Sequence, residues 1–308
     1  MVSKSIFVTG ATGFLGRHLL AKLEPARYPR VFCLSRKDPG EVSRLSAAAQ
    51  VRFVRGGLFD PAAYEKELAA SDTVLHLAAA TGKATRAEHF RVNVEGTRLL
   101  VERCRSLDVR RFLYVSSIAA RFPKKTHYHY AQAKQEAEEI VRAGGFDYTI
   151  IRPTIILGPG APVWQGFKKL AQFAVIPIPG DGRTRIQPID VDDLADLLLR
   201  WLDSGEFCGE TLELGGPETI SIEEFLCRAH RHLRRTEPRT LHLPLSILLP
   251  LLTILEVPFY SRLPVTVGQL GSFRCDGTIK KNRLFEEHVA RMKTLEEMLA
   301  LLCTHDPA

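Results

Sequence analysis

The sequence predicts an α/β protein built on a doubly wound parallel sheet, with a smaller C-terminal lobe. Three observations predict it. Residues 6–20, IFVTGATGFLGRHLL, read as a buried strand, a glycine turn and a helix in direct succession. Short runs of β-branched and aromatic residues then alternate with helical stretches as far as residue 151. The 308 residues, 45% of them apolar, suffice for a large α/β domain with an appended part.

Taken in order, the first strand is the run Ile6, Phe7, Val8, and Gly10, Gly13 and Gly16 punctuate the entry to a helix whose apolar positions continue to Leu20 and Leu23. Glycine permits a tight turn and close backbone approach, and the helix that follows directs unpaired N–H groups and its positive dipole end at the turn, which favours a phosphate. The spacing is G-x-x-G-x-x-G, unlike the G-x-G-x-x-G of the common dinucleotide fingerprint, so a plain strand–turn–helix connection competes with it. Further strands are expected at 30–34, 51–54, 73–77, 111–115 and 148–151, with helices at 61–70 and 88–107. Asp60-Pro61 reads as a helix start, the Asp side chain capping free N–H groups and the proline taking the first helical position. The expected division is a dinucleotide-sized domain over 1–157, to which 184–216 returns, and a lobe made of 158–183 and 217–308.

Composition narrows the function. Cys33, Cys104, Cys208, Cys227, Cys275 and Cys303 are scattered without a C-x-x-C pair, which predicts reduced thiols in a cytoplasmic protein and neither disulfides nor a metal. No leader is expected ahead of a strand that starts this close to the N-terminus. The net charge of +7 suits an anionic cofactor or surface, but most Arg and Lys are dispersed singly, which disfavours nucleic acid and leaves a small-molecule substrate.

The second strand ends in Ser35-Arg36-Lys37, where a protein built for NAD usually places an acid to hold the ribose hydroxyls. An arginine there makes a charge-assisted contact with a 2′-phosphate, so NADP is favoured over NAD, and Arg17 can reach the same phosphate. After the fifth strand comes a helix in which Tyr130 and Lys134 are four apart and share a face. A buried phenol beside a fixed ammonium has its anion favoured, which suits Tyr130 to carry a proton. His127, Tyr128 and His129 lie beside it and are read as surface or capping groups.

The motifs TGATGFLG (9–16), HLAA (76–79), NVEGT (93–97), YVSS (114–117), Tyr130-x-x-x-Lys134, RPTIILGPG (152–160) and DVDDLA (190–195) together resemble the extended branch of the short-chain dehydrogenase/reductase superfamily, the epimerase/dehydratase type. Within it, residues 178–195 and 210–225 look most like the subgroup of the NADPH-binding accessory subunit of respiratory complex I. The resemblance implies a Rossmann domain in which Ser117 orients a substrate carbonyl, Tyr130 delivers the proton, Lys134 holds the nicotinamide ribose and Ser116 lies nearer the cofactor. It also implies cofactor contacts from Gly10, Thr12, Gly13, Phe14, Leu15, Gly16 and Arg17, and from Ser35 and Arg36. Further contacts are implied from Leu58, from Leu77, Ala78 and Ala79, from Asn93, and from Pro153 and Ile156. Two departures stand out. Gly57 precedes Leu58 where the family often has an Asp for the adenine, and Ile118 and Ala119 follow Ser117 where sugar-nucleotide dehydratases have an Asp-Glu pair, which argues against water elimination.

In the second half, glycines and prolines over 158–182 predict loops and a helix over the cofactor. Asp192-Asp193 reads as a helix start in preference to a metal site. A basic run from Arg228 to Arg239 adjoins an apolar run from Leu241 to Phe259, which Pro244, Pro250, Glu256 and Pro258 interrupt, so a spanning helix is not expected. The pair of runs can serve as a peripheral membrane contact, as an apolar pocket wall or as a subunit interface. Three functions follow: an NADP-dependent oxidoreductase acting on a carbonyl/alcohol pair of a lipophilic substrate, an NADPH-holding structural or assembly protein, and a nucleotide-sugar epimerase.

Overall fold

The computed structural model describes residues 4–38, 50–259 and 266–305. The strands are β1 (Ser5–Thr9), β2 (Arg30–Ser35), β3 (Val51–Arg55), β4 (Thr73–His76), β5 (Arg111–Val115), β6 (Asp147–Pro153), β7 (Ile156–Leu157), β8 (Ile176–Pro179), β9 (Arg185–Ile186), β10 (Ile189–Asp190), β11 (Glu210–Leu214), β12 (Ile220–Ser221) and β13 (Thr240–Leu243). Seven of them form one sheet in the order β11-β6-β5-β4-β1-β2-β3, and every pairing from β6 to β3 is parallel. This is the doubly wound α/β sheet that the alternation of elements predicted. The order reverses beside β1, and in open sheets that is where ligands bind, at the carboxyl ends of the strands.

Ile6, Phe7 and Val8 are wholly buried, as is expected of a central parallel strand covered on both faces. With Phe7, residues Tyr64, Leu68, Leu100, Phe112 and Val141 belong to one core cluster. The helix Phe14–Ala21 follows β1 directly. The expected helix at 61–70 is a 3₁₀ turn, Pro61–Ala63, followed by Glu65–Ala69. Asp60 does precede Pro61 at the start, but its side chain accepts no capping hydrogen bond. The long helix expected at 88–107 begins earlier, at Arg86, behind a capping box of Thr85 and Glu88. It widens into a π-helix at Arg91–Glu95 and runs on as Gly96–Ser106. A Cβ on Gly96 would sit 2.8 Å from a Leu58 methyl, which would have to turn aside.

The chain divides into two compact units: residues 1–120, 133–152 and 194–212, and residues 121–132, 153–193 and 213–308. Within the second, β7 pairs with β10 and β8 with β13 in parallel, while β9 and β12 are antiparallel. Asp192 and Asp193 occupy the first turn of the helix Val191–Ser204, as expected. The cap itself is Asp190, whose Oδ1 accepts from the amides of both. Of the apolar run, Leu241 to Leu243 lie in β13, and the rest forms one helix, Leu245–Phe259, that passes through Pro250. Pro250 and Ser246 are both exposed, so water can take up the Ser246 carbonyl that a proline at 250 leaves unbonded. No helix among the described residues is long and apolar enough to cross a membrane.

Candidate functional site

The turn after β1 is a backbone cradle. Gly10 has φ +74°, and a Cβ there would lie 2.6 Å from the Ala78 nitrogen. A Cβ on Gly16 would lie 2.3 Å from the Gly10 carbonyl oxygen, which itself accepts from Gly13 N–H at 2.9 Å. Only glycine allows β1, the helix and the end of β4 to approach this closely. Gly13 stands at the N-cap and brings no side-chain acceptor, so the amides of the first turn around Phe14, Leu15 and Gly16 are left for an anion. Thr12 is half-buried and Arg17 exposed beside them. This arrangement fits a dinucleotide diphosphate.

A hydrogen-bonded chain that the sequence did not announce holds the β4 side of the cradle. Thr97 Oγ1 donates to the Asn93 carbonyl and so accepts from His76 Nε2 at 2.9 Å, leaving His76 Nδ1 to accept from Thr9 Oγ1 at 2.6 Å. Thr9 Oγ1 in turn accepts from Ala78 N–H at 3.2 Å. Burial first, and the Lys134 charge second, push the pKa of His76 down to about 3, so the ring is neutral. Asn93, expected among the cofactor contacts, spends its carboxamide on Ala80: Oδ1 accepts from the Ala80 amide at 2.7 Å and Nδ2 donates to its carbonyl at 3.0 Å. It thereby fixes the Leu77–Ala80 turn from behind, and the π-helix is what turns it there.

At the end of β2, Ser35 is buried, its Oγ accepts from Lys37 N–H at 3.1 Å, and Arg36 and Lys37 are exposed. Asp38, the acid that follows, lies 3.6 Å from Arg55. Leu58 is buried at the end of the β3 loop.

The candidate catalytic residues gather at the end of β5 and on the helix that follows. Lys134 is only 2% exposed, and its Nζ donates to the Val115 carbonyl at 2.8 Å and to Tyr114 Oη at 3.2 Å, 4.6 Å from the Tyr114 ring centre. Burial pushes its pKa down to about 7, against the opposing pull of Glu138. Ser116 Oγ donates to Glu138 Oε1 at 2.6 Å, and Arg152 and Arg142 close on the same carboxylate at 2.6 and 2.9 Å. Burial works against the Glu138 charge, but the hydrogen bonds from Arg152 and Ser116 prevail and hold its pKa below the usual range. Ser117 is half-buried, and its Oγ accepts from Ala119 N–H at 3.2 Å at the start of the 3₁₀ turn Ile118–Arg121.

The helix His129–Arg142 carries Tyr130, Lys134 and Glu138 at four-residue steps along one face. Glu138 and Tyr114 were not singled out from sequence. The repeat of 130, 134 and 138 was the available signal for Glu138. Tyr130 is half-buried, where a buried phenol was expected, because it stands at the first turn of its helix while Lys134 lies one turn further in. His129, read as a surface or capping group, is the first residue of the helix, and its Nδ1 lies 3.0 Å from the Gln132 side-chain oxygen, which is not a contact with a free backbone amide. Pro153 is buried at the end of β6 and Ile156 half-buried on β7. No group of His, Cys, Asp or Glu able to hold a metal occurs among the described residues.

Comparison with known proteins places this geometry. The NAD dependent epimerase/dehydratase family matches residues 6–215. A ceramide reductase of Caulobacter vibrioides is 33% identical over 247 residues, spanning 78% of this chain and 73% of the relative. The mitochondrial NADH dehydrogenase [ubiquinone] 1 alpha subcomplex subunit 9 of Arabidopsis thaliana is 27% identical over 78% of this chain and only 60% of its own length. That match agrees with the subgroup the motifs resembled. The solved UDP-glucuronic acid 4-epimerase of Bacillus cereus, in complex with UDP-glucuronic acid and NAD, superposes with a TM-score of 0.74 over 98% of both chains at 19% identity, which is a likeness of fold. With the cradle, the switch point and the matched residues 6–215 in agreement, this chain belongs to the NAD dependent epimerase/dehydratase family.

Proposed function

We propose that the protein is an NADP-dependent reductase or dehydrogenase acting on the carbonyl/alcohol pair of a lipophilic substrate. The observation that carries the proposal is Lys134: an ammonium withdrawn from solvent, with two of its three N–H bonds fixed, one helical turn from Tyr130. A desolvated lysine in that position lowers the cost of the Tyr130 phenolate and keeps one N–H for a ribose hydroxyl. The amides behind Gly10, Gly13 and Gly16 hold the diphosphate, and Arg36, with Arg17 and Lys37, holds the 2′-phosphate. The bound dinucleotide supplies the hydride to the carbonyl carbon. In the reductive direction the Ser117 hydroxyl donates a hydrogen bond to the carbonyl oxygen, which orients it and withdraws electron density. The Tyr130 hydroxyl then gives its proton to that oxygen, and the carbonyl becomes an alcohol. Glu138 acts from behind, tying Ser116 to Arg152 so that the segment leading to Ser117 keeps its path.

The name of the Caulobacter relative, a ceramide reductase, supports a lipophilic substrate, and the exposed Arg36 and Lys37 support NADP. A second reading, a cofactor-holding subunit without turnover, is favoured by the Arabidopsis match. The deciding experiment is NADPH consumption over a panel of long-chain ketones and aldehydes with nucleotide sugars as controls. Tyr130→Phe should abolish turnover, by about a hundredfold or more, and leave NADPH affinity nearly unchanged. Lys134→Ala should reduce both. Full turnover in the Phe variant would place the proton elsewhere, and no turnover on any substrate with NADPH tightly bound would favour the subunit reading.

A further inference from the structure

The second unit leaves an apolar surface uncovered. Six of the eight large apolar side chains that stay exposed among the described residues fall between 173 and 254: Phe173, Val175, Leu241, Ile247, Leu251 and Ile254. Ile247, Leu251 and Ile254 are 64%, 51% and 72% exposed and recur at helical spacing on the Leu245–Phe259 helix. The opposite face of that helix is the covered one, where Leu252 packs with Val267 and Leu270 and is joined by Leu245, Leu248, Leu249 and Phe273. Glu256, the helix's only charged residue, is spent on the covered side, accepting from Val267 N–H at 2.9 Å. The preceding strand pair, in the same unit, exposes further apolar side chains. Ile176 faces Thr240 in the parallel register of β8 and β13, so Val175 and Arg239 stand together on the alternate side, with Leu241 next along it.

The arginines nearby separate into two groups. Arg228 is held by Glu218, Glu224 and Glu296, and Arg231 by Glu237, so these two are committed to protein carboxylates. Arg234 donates to the Gln172 carbonyl at 3.0 Å, next to the exposed Phe173, and has no carboxylate partner among the described residues. Arg235 and Arg239 are exposed and make no ion pair among the described residues.

We propose that this surface docks the protein on an anionic membrane, with Ile247, Leu251 and Ile254 entering the acyl boundary and Arg234, Arg235 and Arg239 meeting lipid phosphates. A helix with exposed apolar side chains and too short to span, in the same unit as exposed cations that have no carboxylate partner among the described residues, matches the requirements of an interfacial contact. A second copy of this chain is a poorer occupant, because a two-fold interface sets the patch against its own copy, and the residues named here offer these arginines no carboxylate. The proposal is independent of the reductase reading, since docking is measured without turnover.

The test is co-sedimentation of the full chain with phosphatidylcholine vesicles, with and without phosphatidylserine, at low and high salt. Binding is expected with phosphatidylserine and should weaken as salt rises. Arg235→Ala and Arg239→Ala should each weaken it about fivefold. Leu251→Glu with Ile254→Glu should abolish it while the thermal melt of the protein stays where it was, both side chains being exposed. Absence of binding to anionic vesicles at low salt overturns the proposal. So does binding that survives the paired Glu substitutions, or a concentration-dependent dimer in light scattering that those substitutions break.

Discussion

Lys134 carries its ammonium where water does not reach, and that has a consequence for stability as well as for proton transfer. Its pKa is about 7 in the folded protein against an ordinary 10.5, so between those values the unfolded chain binds more protons than the native one. Stability therefore rises with pH across that window, and below pH 7 the full cost of burying the charge, of the order of a few kcal/mol, is present. His76 works on the acid side. With its pKa lowered from 6.5 to about 3, it is neutral in the fold, and its contribution is complete above pH 6.5 and is lost as pH falls toward 3. Melting temperatures across this range should show both slopes. Lys134→Met should flatten the alkaline rise, and an unchanged rise would mean that the ammonium is solvated.

At the scale of elements, the strand–turn–helix unit from β1 to Ala21 depends on contacts only a glycine can make. Adding a methyl group at Gly16 would press on the backbone of Gly10 and Ala11 at 2.3 and 2.7 Å, and neither can yield without moving β1. Gly16→Ala should destabilise the protein by about 1–3 kcal/mol and weaken NADPH binding with it. Gly13 offers the contrast: its φ is −73° and the nearest atom to an added Cβ is 3.1 Å away. Gly13→Ala should cost clearly less than Gly16→Ala, because the Gly10 oxygen has to give by only a few tenths of an ångström. Equal melting temperatures for the two variants would remove the cradle from the account. The π-helix at Arg91–Glu95 has a similar local logic, because a ladder one residue wider is what brings Asn93 to the Ala80 backbone.

For the whole molecule, cofactor choice is readable as ligand-linked stability. A ligand that binds only the native state at a hundredfold excess over its Kd adds about 2.7 kcal/mol, so NADPH should raise the melting temperature more than NADH at equal concentration. Arg36→Asp should reverse the order, because a carboxylate repels the 2′-phosphate and suits the ribose hydroxyls. Equal shifts with both dinucleotides in the unsubstituted protein would refute the assignment of Arg36.

The sequence by itself determined six of the seven strands of the sheet, the glycine cradle and the Tyr130–Lys134 face, because each rests on local periodicity or on residue types whose backbone demands are short-range, whereas the edge strand β11 was not among the expected strands. β5 falls on 111–115 as expected, and the other predicted strands are displaced by only one or two residues at their ends. Tertiary structure decided the charge environment. Glu138 reads as an ordinary exposed acid on a helix until Arg152, fourteen residues on, and Ser116, twenty-two residues back, close on it. His76 and Asn93 read as motif letters until Thr9, Thr97 and Ala80 occupy their polar atoms. In the basic run from Arg228 to Arg239, the i,i+4 spacing of Glu224 and Arg228 is visible in sequence, but only the fold brings Glu218 and Glu296 to Arg228 as well. Desolvation and ion pairing depend on groups brought together across the chain, and no local pattern in the sequence records them.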